Sequence, residues 1–418
     1  MSDRAEGDRV LKSGGERLPL SGIRVLELGR YLAAPLVGQL LGDLGAEVVK
    51  IERRGFGDEF RQYGRTFVRD RDGNPTKESA PYVSANRNKR SVEVDLANPD
   101  GQRIVRSLAR ECDIFIENFK VGALDRFELD YASVRAANPG VIYLAISGFG
   151  QAGPYARKAA TDSAFQAMSG LWDVNGEPEG QPQKIGAPAS DYIGGLFGAL
   201  SVMAALRHRD LHGEGQHIDL SLLDCSIAFL APRSSEYLID GTIPSRIGNR
   251  TPGTAPGQAF RCSDGHIMVQ AGSDQMFATL CGILDRPDIA GDPRFANLQL
   301  RQSNVDVLGE ALERAFLTRT GREWFDLLSE AGLIVAPIYD VAQCFADPQV
   351  QSRGMRVNIP HPGGGSVDVV ASPMRFSATP IEHYSCPPPM GEGTDDVLST
   401  WLGYDEAKIA ELRASGAV

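Results

Sequence analysis

Five short apolar runs, separated by helical patterns, occupy residues 20–150 and constrain the fold most strongly. In chain order the runs read IRVLEL from Ile23, EVVKI from Glu47, SVEVDL from Ser91, DIFIE from Asp113 and VIYLAIS from Val141. Apolar runs of this length, bounded by polar turns, are typical of buried strands. Because strands that alternate with helices form right-handed βαβ units, the pattern predicts an open, mostly parallel α/β sheet.

Polar side chains follow two of these predicted strands. Asn118, Phe119 and Lys120 come directly after one, and Arg53 and Arg54 come after another. Ligands of such sheets bind beyond the carboxyl ends of the strands, so a ligand site is expected at this edge. The first strand is followed by GRYLAAP rather than GxGxxG, which argues against a nicotinamide or flavin enzyme.

The second half of the chain has a different organisation. Residues 233–257 are rich in Pro, Gly and Arg, which predicts a boundary or crossing segment. A hairpin is expected over Phe260–Gln270, with helices over 274–284, 304–318 and 321–331. These elements predict a small α+β domain. A Pro/Gly-rich segment over 345–391 follows, and a last helix is expected over about 394–413.

Composition excludes several classes of protein. A net charge of -11 argues against a general nucleic-acid binder. Neither an apolar run of 18 residues nor the apolar core of a signal peptide is present, so we expect no membrane association. The six cysteines lack CxxC spacing, which indicates reduced thiols and a cytoplasmic location. No metal site is expected, since His208 and His212 lie at a polar helix end.

One carboxylate, Asp191, stands out in the stretch Gln183–Leu200, which reads QKIGAPASDYIGGLFGAL. It lies between a loop rich in Gly, Ala and Pro and an apolar run that predicts a long helix over Tyr192–His208. Small residues on both sides allow a ligand or a neighbouring helix to approach closely. The carboxylate is either the N-cap of this helix or a chemical reagent, and both interpretations stay open at this point.

A basic segment, Asn86–Arg90, reads NRNKR. Clustered cationic and amide side chains suit phosphate, so the segment is one candidate for an anion site. The alternative is a solvated turn before the third predicted strand, in which Arg87, Lys89 and Arg90 serve structure or a subunit contact.

Several segments together resemble the class III CoA-transferase (CaiB/BaiF) family, which includes formyl-CoA and carnitine CoA-transferases. The segments read LGDLGAEVVKIERRGFGDEFR, SANRNKRSVEVDL, DIFIENFKVGALDRF, NPGVIYLAISGFGQAGPY, QKIGAPASDYIGGLFGALSVMAALRHRDLHGEGQHIDLSLLD and GNRTPGTAPGQAF. Near the C-terminus, SPMRFSATP and PPPMGEGTDDVL also fit. The resemblance covers roughly residues 20–415, and the number, order and spacing of the motifs carry it.

The resemblance implies a Rossmann-like large domain with an inserted small α+β domain, in an interlocked homodimer. On this basis residues 1–20 are expected to form a loose N-terminal tail and residues 21–230 the first part of the large domain. Residues 231–340 would form the small domain with its linkers, and residues 341–418 the return linker and the C-terminal part of the large domain.

The resemblance also implies that Asp191 is a nucleophile. The family nucleophile is an Asp that follows a G-x-x-x-x-D pattern, and Gly186–Asp191 reads GAPASD. The carboxylate would attack an acyl-CoA thioester, giving a mixed anhydride and then an enzyme–CoA thioester. Coenzyme A and acyl-CoA would be substrates, with no permanently bound cofactor. Asp162 falls where the family has a carboxylate, and it either assists the reaction or caps a helix.

Positions that contact CoA in the family carry over one by one. On this basis the expected contacts are Arg30, Leu32, Ala33, Arg53, Val94, Asp95, Leu96, Ala97, Asn118, Phe119, Lys120, Arg126 and Lys158. Arginine and lysine suit a phosphate-rich ligand. The alternative for any one of these positions is a surface or capping role.

Differences from the formyl-CoA transferases bear on the substrate. Those enzymes carry His and Gln where this chain has Arg30 and Leu32, and a glycine loop where it has Thr251–Gly257. The differences predict an acid larger than oxalate. The segments GEPEGQPQKIG, NRTPGTAPGQAF and SANRNKRSVEVDL resemble the dicarboxylate-type members, which implies CoA transfer between a dicarboxylate such as succinate and a second organic acid. CoA transfer within one dicarboxylate, 2-methylacyl-CoA racemisation and acyl-CoA binding without turnover are the alternatives. Racemisation is poorly supported, because Thr161 rather than His precedes Asp162 and has no accessible pKa for proton exchange.

Overall fold

The structure is a computed structural model that describes residues 18–418. Most of the expected N-terminal tail, residues 1–20, lies outside the described residues. The last residues of that segment are packed, since the Leu20 side chain is 5% exposed and its backbone N–H donates to the Leu44 carbonyl at 2.9 Å.

The described chain up to Ser221 contains eight strands. They are β1 (Arg24–Leu28), β2 (Glu47–Arg53), β3 (Phe67–Arg69), β4 (Pro75–Ser79), β5 (Lys89–Val94), β6 (Ile114–Glu117), β7 (Ile142–Ser147) and β8 (His217–Ser221). Six of them form one sheet in the order β5-β2-β1-β6-β7-β8. Every pairing in this sheet is parallel, which confirms the predicted parallel α/β sheet. The short strands β3 and β4 form a separate antiparallel pair.

Helices cover both faces of the sheet. In this part of the chain they are α1 (Ala33–Asp43), α2 (Ala80–Asn86), α3 (Pro99–Glu111), α4 (Tyr131–Ala137), α5 (Asp162–Met168), α6 (Ala189–His212) and α7 (Leu222–Phe229). Successive side chains of a strand point to opposite faces. Accordingly, Leu26 and Leu28 of β1 join the apolar cluster that includes α3, while Val25 joins the cluster that includes α1 and α6.

The next part of the chain has its own three-stranded sheet and apolar core. Its elements are α8 (Ala231–Asp240), β9 (Gly257–Arg261), β10 (His266–Gln270), α9 (Asp274–Ile283), α10 (Pro287–Ala290), α11 (Leu298–Ser303), α12 (Val305–Phe316), α13 (Gly321–Glu330), β11 (Ile334–Pro337), α14 (Val341–Ala346) and α15 (Pro348–Ser352). The antiparallel pair β9–β10 is the predicted hairpin. The expected crossing segment is partly wrong, because α8 occupies its beginning, with Pro near the helix start and Gly241 in the left-handed region at its end.

Two strands and two helices complete the chain. They are β12 (Arg356–Pro360), β13 (Ser366–Val370), α16 (Thr394–Leu402) and α17 (Glu406–Ala414). The prediction of one helix over 394–413 is wrong. Gly403 has φ 68° and ends α16, and the Asp405 side chain accepts the Lys408 N–H to start α17.

The described chain separates into two compact units. One contains the chain up to Phe165, with Ala187–Phe229 and Gly354–Val418. The other contains Gln166–Gly186 and Leu230–Arg353. Residues 166–186 thus fall in the second unit, whereas the sequence analysis placed them in the first part of the large domain.

Candidate active site

The first turn of α6 holds Asp191. The helix begins at Ala189, and its N-cap is Pro188, which offers no capping side chain. Asp191 is therefore the third helical residue and not the N-cap, which removes one of the two interpretations of this carboxylate. Anionic side chains in a first helical turn are favoured by the exposed backbone N–H groups.

The cap of α6 comes from a distant part of the chain. Asp162 Oδ1 accepts the backbone N–H groups of Ser190 at 2.8 Å and of Asp191 at 3.4 Å. Two carboxylates consequently meet at one helix terminus. Burial, together with the charge of Asp162, raises the pKa of Asp191 to about 7.

Helices α1 and α6 start at the same edge of the sheet. Each runs back from the carboxyl ends of the strands toward the start of the next parallel strand, α1 before β2 and α6 before β8. Their close packing requires glycine, since a Cβ at Gly195 would lie 2.7 Å from Leu36 Cδ2 and one at Gly198 would lie 2.8 Å from Val37 Cγ2. Asp191 thus lies at the carboxyl edge, where ligands of parallel sheets bind.

The start of α1 carries Leu32 and Ala33, two of the residues expected to contact CoA. Both are buried, and Leu32 is the N-cap residue of α1 without any capping hydrogen bond from a side chain. The first backbone N–H groups of such a helix are open to an anion or a polarised carbonyl oxygen.

A cavity of about 580 Å³ opens at the same edge of the sheet. It is lined by Leu28, Gly29, Arg30, Ile51, Glu52, Arg53, Gly57, Asp58, Glu59, Val94, Asp95, Leu96, Ala97, Gln102, Phe119, Arg126 and Phe127. Eight of the residues expected to contact CoA are among them, namely Arg30, Arg53, Val94, Asp95, Leu96, Ala97, Phe119 and Arg126. The volume is in the range of sites for small ligands and cofactors.

Two guanidinium groups of the cavity are available to an anionic ligand. The Arg53 guanidinium lies 5.3 Å from the Phe56 ring centroid, and that of Arg126 lies 4.5 Å from the Phe127 ring centroid. Neither side chain forms a salt bridge within residues 18–418. Stacked, unpaired guanidinium groups suit bidentate binding of phosphate.

The remaining expected contacts do not line the cavity, although Asn118 and Lys120 flank its lining residue Phe119 in sequence. Asn118 bonds to the backbone of Arg30, donating to its carbonyl at 2.8 Å and accepting its N–H at 2.9 Å. Lys120 is exposed directly after Phe119. Lys158 is also exposed, with its ammonium 4.1 Å from the Tyr155 ring centroid. The structure thus brings Arg30, Asn118 and Phe119 together.

The three cations of the basic segment NRNKR form salt bridges with carboxylates of other elements of the protein. Arg87 contacts Asp43 at 2.6 Å, and Lys89 contacts Glu27 at 2.8 Å. Arg90 pairs with Glu47 and Asp396. The anion-site interpretation of this segment is therefore wrong, because carboxylates of neighbouring elements already neutralise its cations.

Sequence reasoning missed a buried ionic cluster that holds the loop after β1. The Lys50 ammonium lies 3.0 Å from Glu27 and 2.9 Å from Asp58, and it donates to the Gly29 carbonyl at 2.6 Å. Asp58 in turn accepts the N–H of Tyr31, a non-glycine residue with φ 63°. The available signal was a lysine in the middle of the apolar run EVVKI, since a buried charge requires a partner.

This arrangement fits an enzyme of the group-transfer class. A cavity with two guanidinium groups that are unpaired within the described residues and a carboxylate of raised pKa lie at one edge of a parallel sheet. The chain matches the model of CoA-transferase family III over residues 20–394. It belongs to that family, so the predicted membership and the predicted CoA-transferase activity are confirmed. CoA thioesters are the substrates of such enzymes.

Named relatives are similar over nearly their whole length. The chain is 40% identical to the succinate–glutarate CoA-transferase of Agrobacterium fabrum, over 91% of this chain and 95% of that one. It is 36% identical to human succinyl-CoA:glutarate CoA-transferase, over 96% and 90%. A crystal structure of a CaiB/BaiF family protein from Brucella suis superposes with TM-score 0.85 at 39% identity, covering 92% of this chain and 99% of that one.

Proposed function

We propose that this enzyme moves CoA between succinyl-CoA, or a similar acyl-CoA, and a second carboxylic acid, with Asp191 as the nucleophile. The observation that carries the proposal is the partly buried Asp191 carboxylate, whose pKa is raised to about 7 at the start of α6. The names of the relatives support a dicarboxylate donor, since two of them use succinate or succinyl-CoA with glutarate.

The chemistry proceeds through three covalent intermediates on Asp191, which are two mixed anhydrides and one CoA thioester. A carboxylate oxygen of Asp191 attacks the thioester carbonyl and the C–S bond breaks. CoA thiolate leaves, and a mixed anhydride remains on Asp191. The thiolate attacks the Asp191 carboxyl carbon and releases the donor acid, which leaves an aspartyl-CoA thioester. The acceptor carboxylate then attacks the carbonyl of this thioester, which releases CoA thiolate and forms a second mixed anhydride. The thiolate finally attacks the acceptor acyl carbon of that anhydride, which gives the new acyl-CoA and releases the Asp191 carboxylate.

The cavity at the carboxyl edge would hold CoA. In this proposal Arg53 and Arg126 bind phosphate groups, with Lys120 and Lys158 as further cations near the entrance. The segment Val94–Ala97 lies against the nucleotide. Leu32 and Ala33 present the N-terminal N–H groups of α1 toward the reacting carbonyl, where a developing oxyanion needs hydrogen-bond donors. No permanently bound cofactor is required.

A direct assay of CoA transfer tests this function. The enzyme is incubated with succinyl-CoA and a series of acids that includes glutarate, and new acyl-CoA is followed by chromatography and mass. We expect glutaryl-CoA or a related dicarboxyl-CoA to form while succinate is released in equal amount. Exchange of an α-proton of 2-methylacyl-CoA with solvent deuterium, without CoA transfer, would instead favour the racemase alternative.

The activity should depend on pH through Asp191. Only the ionised carboxylate attacks, so kcat/KM for acyl-CoA should fall about tenfold per pH unit below about pH 7. The substitution Asp162→Asn keeps an oxygen acceptor for the N–H groups of α6 and removes the neighbouring charge. The pKa of Asp191 should then fall, and the acid limb of the profile should move to lower pH. An acid limb that stays in place in this variant would contradict the electrostatic role of Asp162.

We further propose that the enzyme is a cytoplasmic, interlocked homodimer with an inserted small domain, and that it binds neither nucleic acid nor membranes. One side of α6 supports an apolar interface. The exposed side chains Tyr192, Leu196, Leu200 and Met203 repeat every three or four residues, which makes a stripe along the helix. Within residues 18–418, α6 alone is long and apolar enough to cross a bilayer, and 44% of its most apolar window is buried in the protein.

The oligomeric state provides the test of this interface. Light scattering after size exclusion should give twice the chain mass for the wild type. The substitution Leu200→Glu places a charge on the stripe and should shift the protein to a monomer or to aggregates. Leu317→Glu, at another exposed leucine outside the stripe, should leave the dimer intact. A monomeric wild type at micromolar concentration would contradict the homodimer.

A further inference from the structure

The order of strands reverses direction between β1 and β6. From β1 the chain continues to β2 and β5 on one side, and from β6 it continues to β7 and β8 on the other. The crevice at such a switch point is where open parallel sheets bind their ligands. The loop after β1 begins at Gly29 and the loop after β6 begins at Asn118, so these two loops form the walls of that crevice.

Arg30 links the two walls through three separate contacts. The Asn118 amide brackets the Arg30 backbone with two hydrogen bonds, at 2.9 Å and 2.8 Å. The Arg30 guanidinium lies 4.9 Å from the centroid of the Phe119 ring, which lines the cavity. The same guanidinium donates to Glu59 Oε1 at 2.8 Å. The orientation of Arg30 therefore depends on where the turn 118–119 is held.

The Glu117 side chain holds that turn through a hydrogen bond. It is the last residue of β6 and is only 7% exposed. Its Oε2 atom accepts the backbone N–H of Phe119 at 2.7 Å, which closes the chain over the end of the strand. Its neighbours in the sheet are Leu28 of β1 and Ala145 of β7.

No cation pairs with Glu117 in the part of the chain that the structure describes. Burial raises the pKa of this carboxyl to about 7, against the opposing effect of the Phe119 N–H. Neutral and ionised forms are thus both present near neutral pH, and each offers an oxygen to the N–H of Phe119. What the site requires of Glu117 is a hydrogen-bond acceptor at a fixed position, not a negative charge.

We propose that Glu117 is a positioning residue for the CoA site, since its carboxyl oxygen fixes Phe119, and Phe119 together with Asn118 fixes Arg30 at the cavity. This inference rests on the proposed function, which places CoA in that cavity. It adds to that function a residue that holds the cavity side chains in place without contacting the ligand itself. The side chain acts through its neighbours, so its loss should affect CoA binding before it affects the chemistry at Asp191.

Two substitutions separate geometry from charge. Glu117→Gln keeps the length and an oxygen acceptor but removes the charge. Glu117→Asp keeps the charge but shortens the side chain by one methylene, which moves the carboxylate oxygen away from the Phe119 N–H. The Kd of coenzyme A, measured by calorimetry on the full-length protein, should change less than about twofold in E117Q and should rise about tenfold in E117D. With saturating acyl-CoA, kcat in E117D should stay within about twofold of the wild type while KM rises.

Controls separate positioning from a loss of stability. Val134→Ala removes buried apolar atoms from the core cluster against which Phe119 packs. It should lower the unfolding midpoint without changing the Kd of coenzyme A. If E117D does not fold, Glu117→Ala removes the acceptor and carries the same expectation for Kd. A tenfold rise in E117Q with no rise in E117D would overturn the proposal, and so would equal, unchanged Kd values in all variants.

Arg53→Ala distinguishes failure of this inference from failure of the proposed function. If R53A weakens coenzyme A binding while E117D binds as the wild type does, CoA lies in the cavity and only the role of Glu117 is wrong. If neither R53A nor Arg126→Ala changes the Kd, coenzyme A binds elsewhere, and the site placement in the proposed function fails together with the inference.

Discussion

Replacing Asp191 by alanine should abolish the covalent enzyme–CoA adduct and lower the rate of CoA transfer by at least about 10⁴-fold, since loss of a nucleophile removes the covalent route entirely. The adduct is measured as a mass increase of the intact protein after incubation with succinyl-CoA, and hydroxylamine or borohydride trapping locates the modified residue. In the wild type the modification should map to Asp191. Coenzyme A should still bind to the variant, because the cavity residues are unchanged.

The substitution Asp191→Asn controls for unfolding. Burial and Asp162 raise the pKa of Asp191 to about 7, above the value of an unfolded aspartate. The stabilising contribution of this group is therefore fully present only below the unfolded pKa, and it is lost as the pH rises through about 7. At pH 8 the neutral amide should thus give a higher unfolding midpoint than the wild type, and this difference should shrink toward pH 5.

The opposite results would reject the nucleophile. An adduct that persists in Asp191→Ala, or that maps to another residue in the wild type, would place the covalent step elsewhere. Binding of acyl-CoA without any adduct, combined with α-proton exchange into solvent, would support the racemase alternative. If Asp191→Asn is inactive and also unfolds at a much lower temperature at pH 8, the carboxylate serves structure.

The parallel sheet could be predicted from the sequence because most of its strands overlap short, largely apolar runs. The strand runs IRVLEL and VIYLAIS contain β1 and β7, and no competing pattern overlaps them. The C-terminal helices were harder to separate. Their apolar residues suggested one helix. In the structure, Gly403 adopts a left-handed conformation that ends α16, and the Asp405 side chain caps the start of α17.

The candidate site was predictable to the extent that it rests on single residues at strand ends. Arg53 and Phe119 lie at the cavity because strand ends converge at one edge. Contacts between distant segments were not predictable from the sequence. Asp162 was assigned as a cap or as an assisting group, but that it caps the helix carrying Asp191, 29 residues away, follows only from the fold. The role of Glu117 was missed because its partner is a backbone N–H two residues on, which leaves no pattern.

Replacing Lys50 by methionine should lower the free energy of unfolding by about 3–5 kcal/mol, the usual effect of removing one partner from a buried ion pair. Lys50 is 1% exposed, and its ammonium contacts Glu27 at 3.0 Å and Asp58 at 2.9 Å. In this variant Glu27 still pairs with Lys89 at 2.8 Å. Most of the lost stability therefore comes from Asp58, which is left buried without its cation. Urea unfolding at pH 7.5 measures the effect, and Lys408→Met, which removes an exposed pair with Glu411, should cost less than about 1 kcal/mol.

The same substitution should also weaken CoA binding, because Lys50 donates to Gly29 and its partner Asp58 fixes Tyr31, both in the loop after β1. The double substitution Lys50→Met with Asp58→Asn distinguishes this electrostatic cause from a simple packing defect. Without Lys50 the buried Asp58 carboxylate has lost its cation, so removing its charge in the double variant should recover part of the lost stability at pH 7.5. A deficit that is the same in the single and double variants, or no larger than that of K408M, would mean that the buried ionic cluster does not hold this loop.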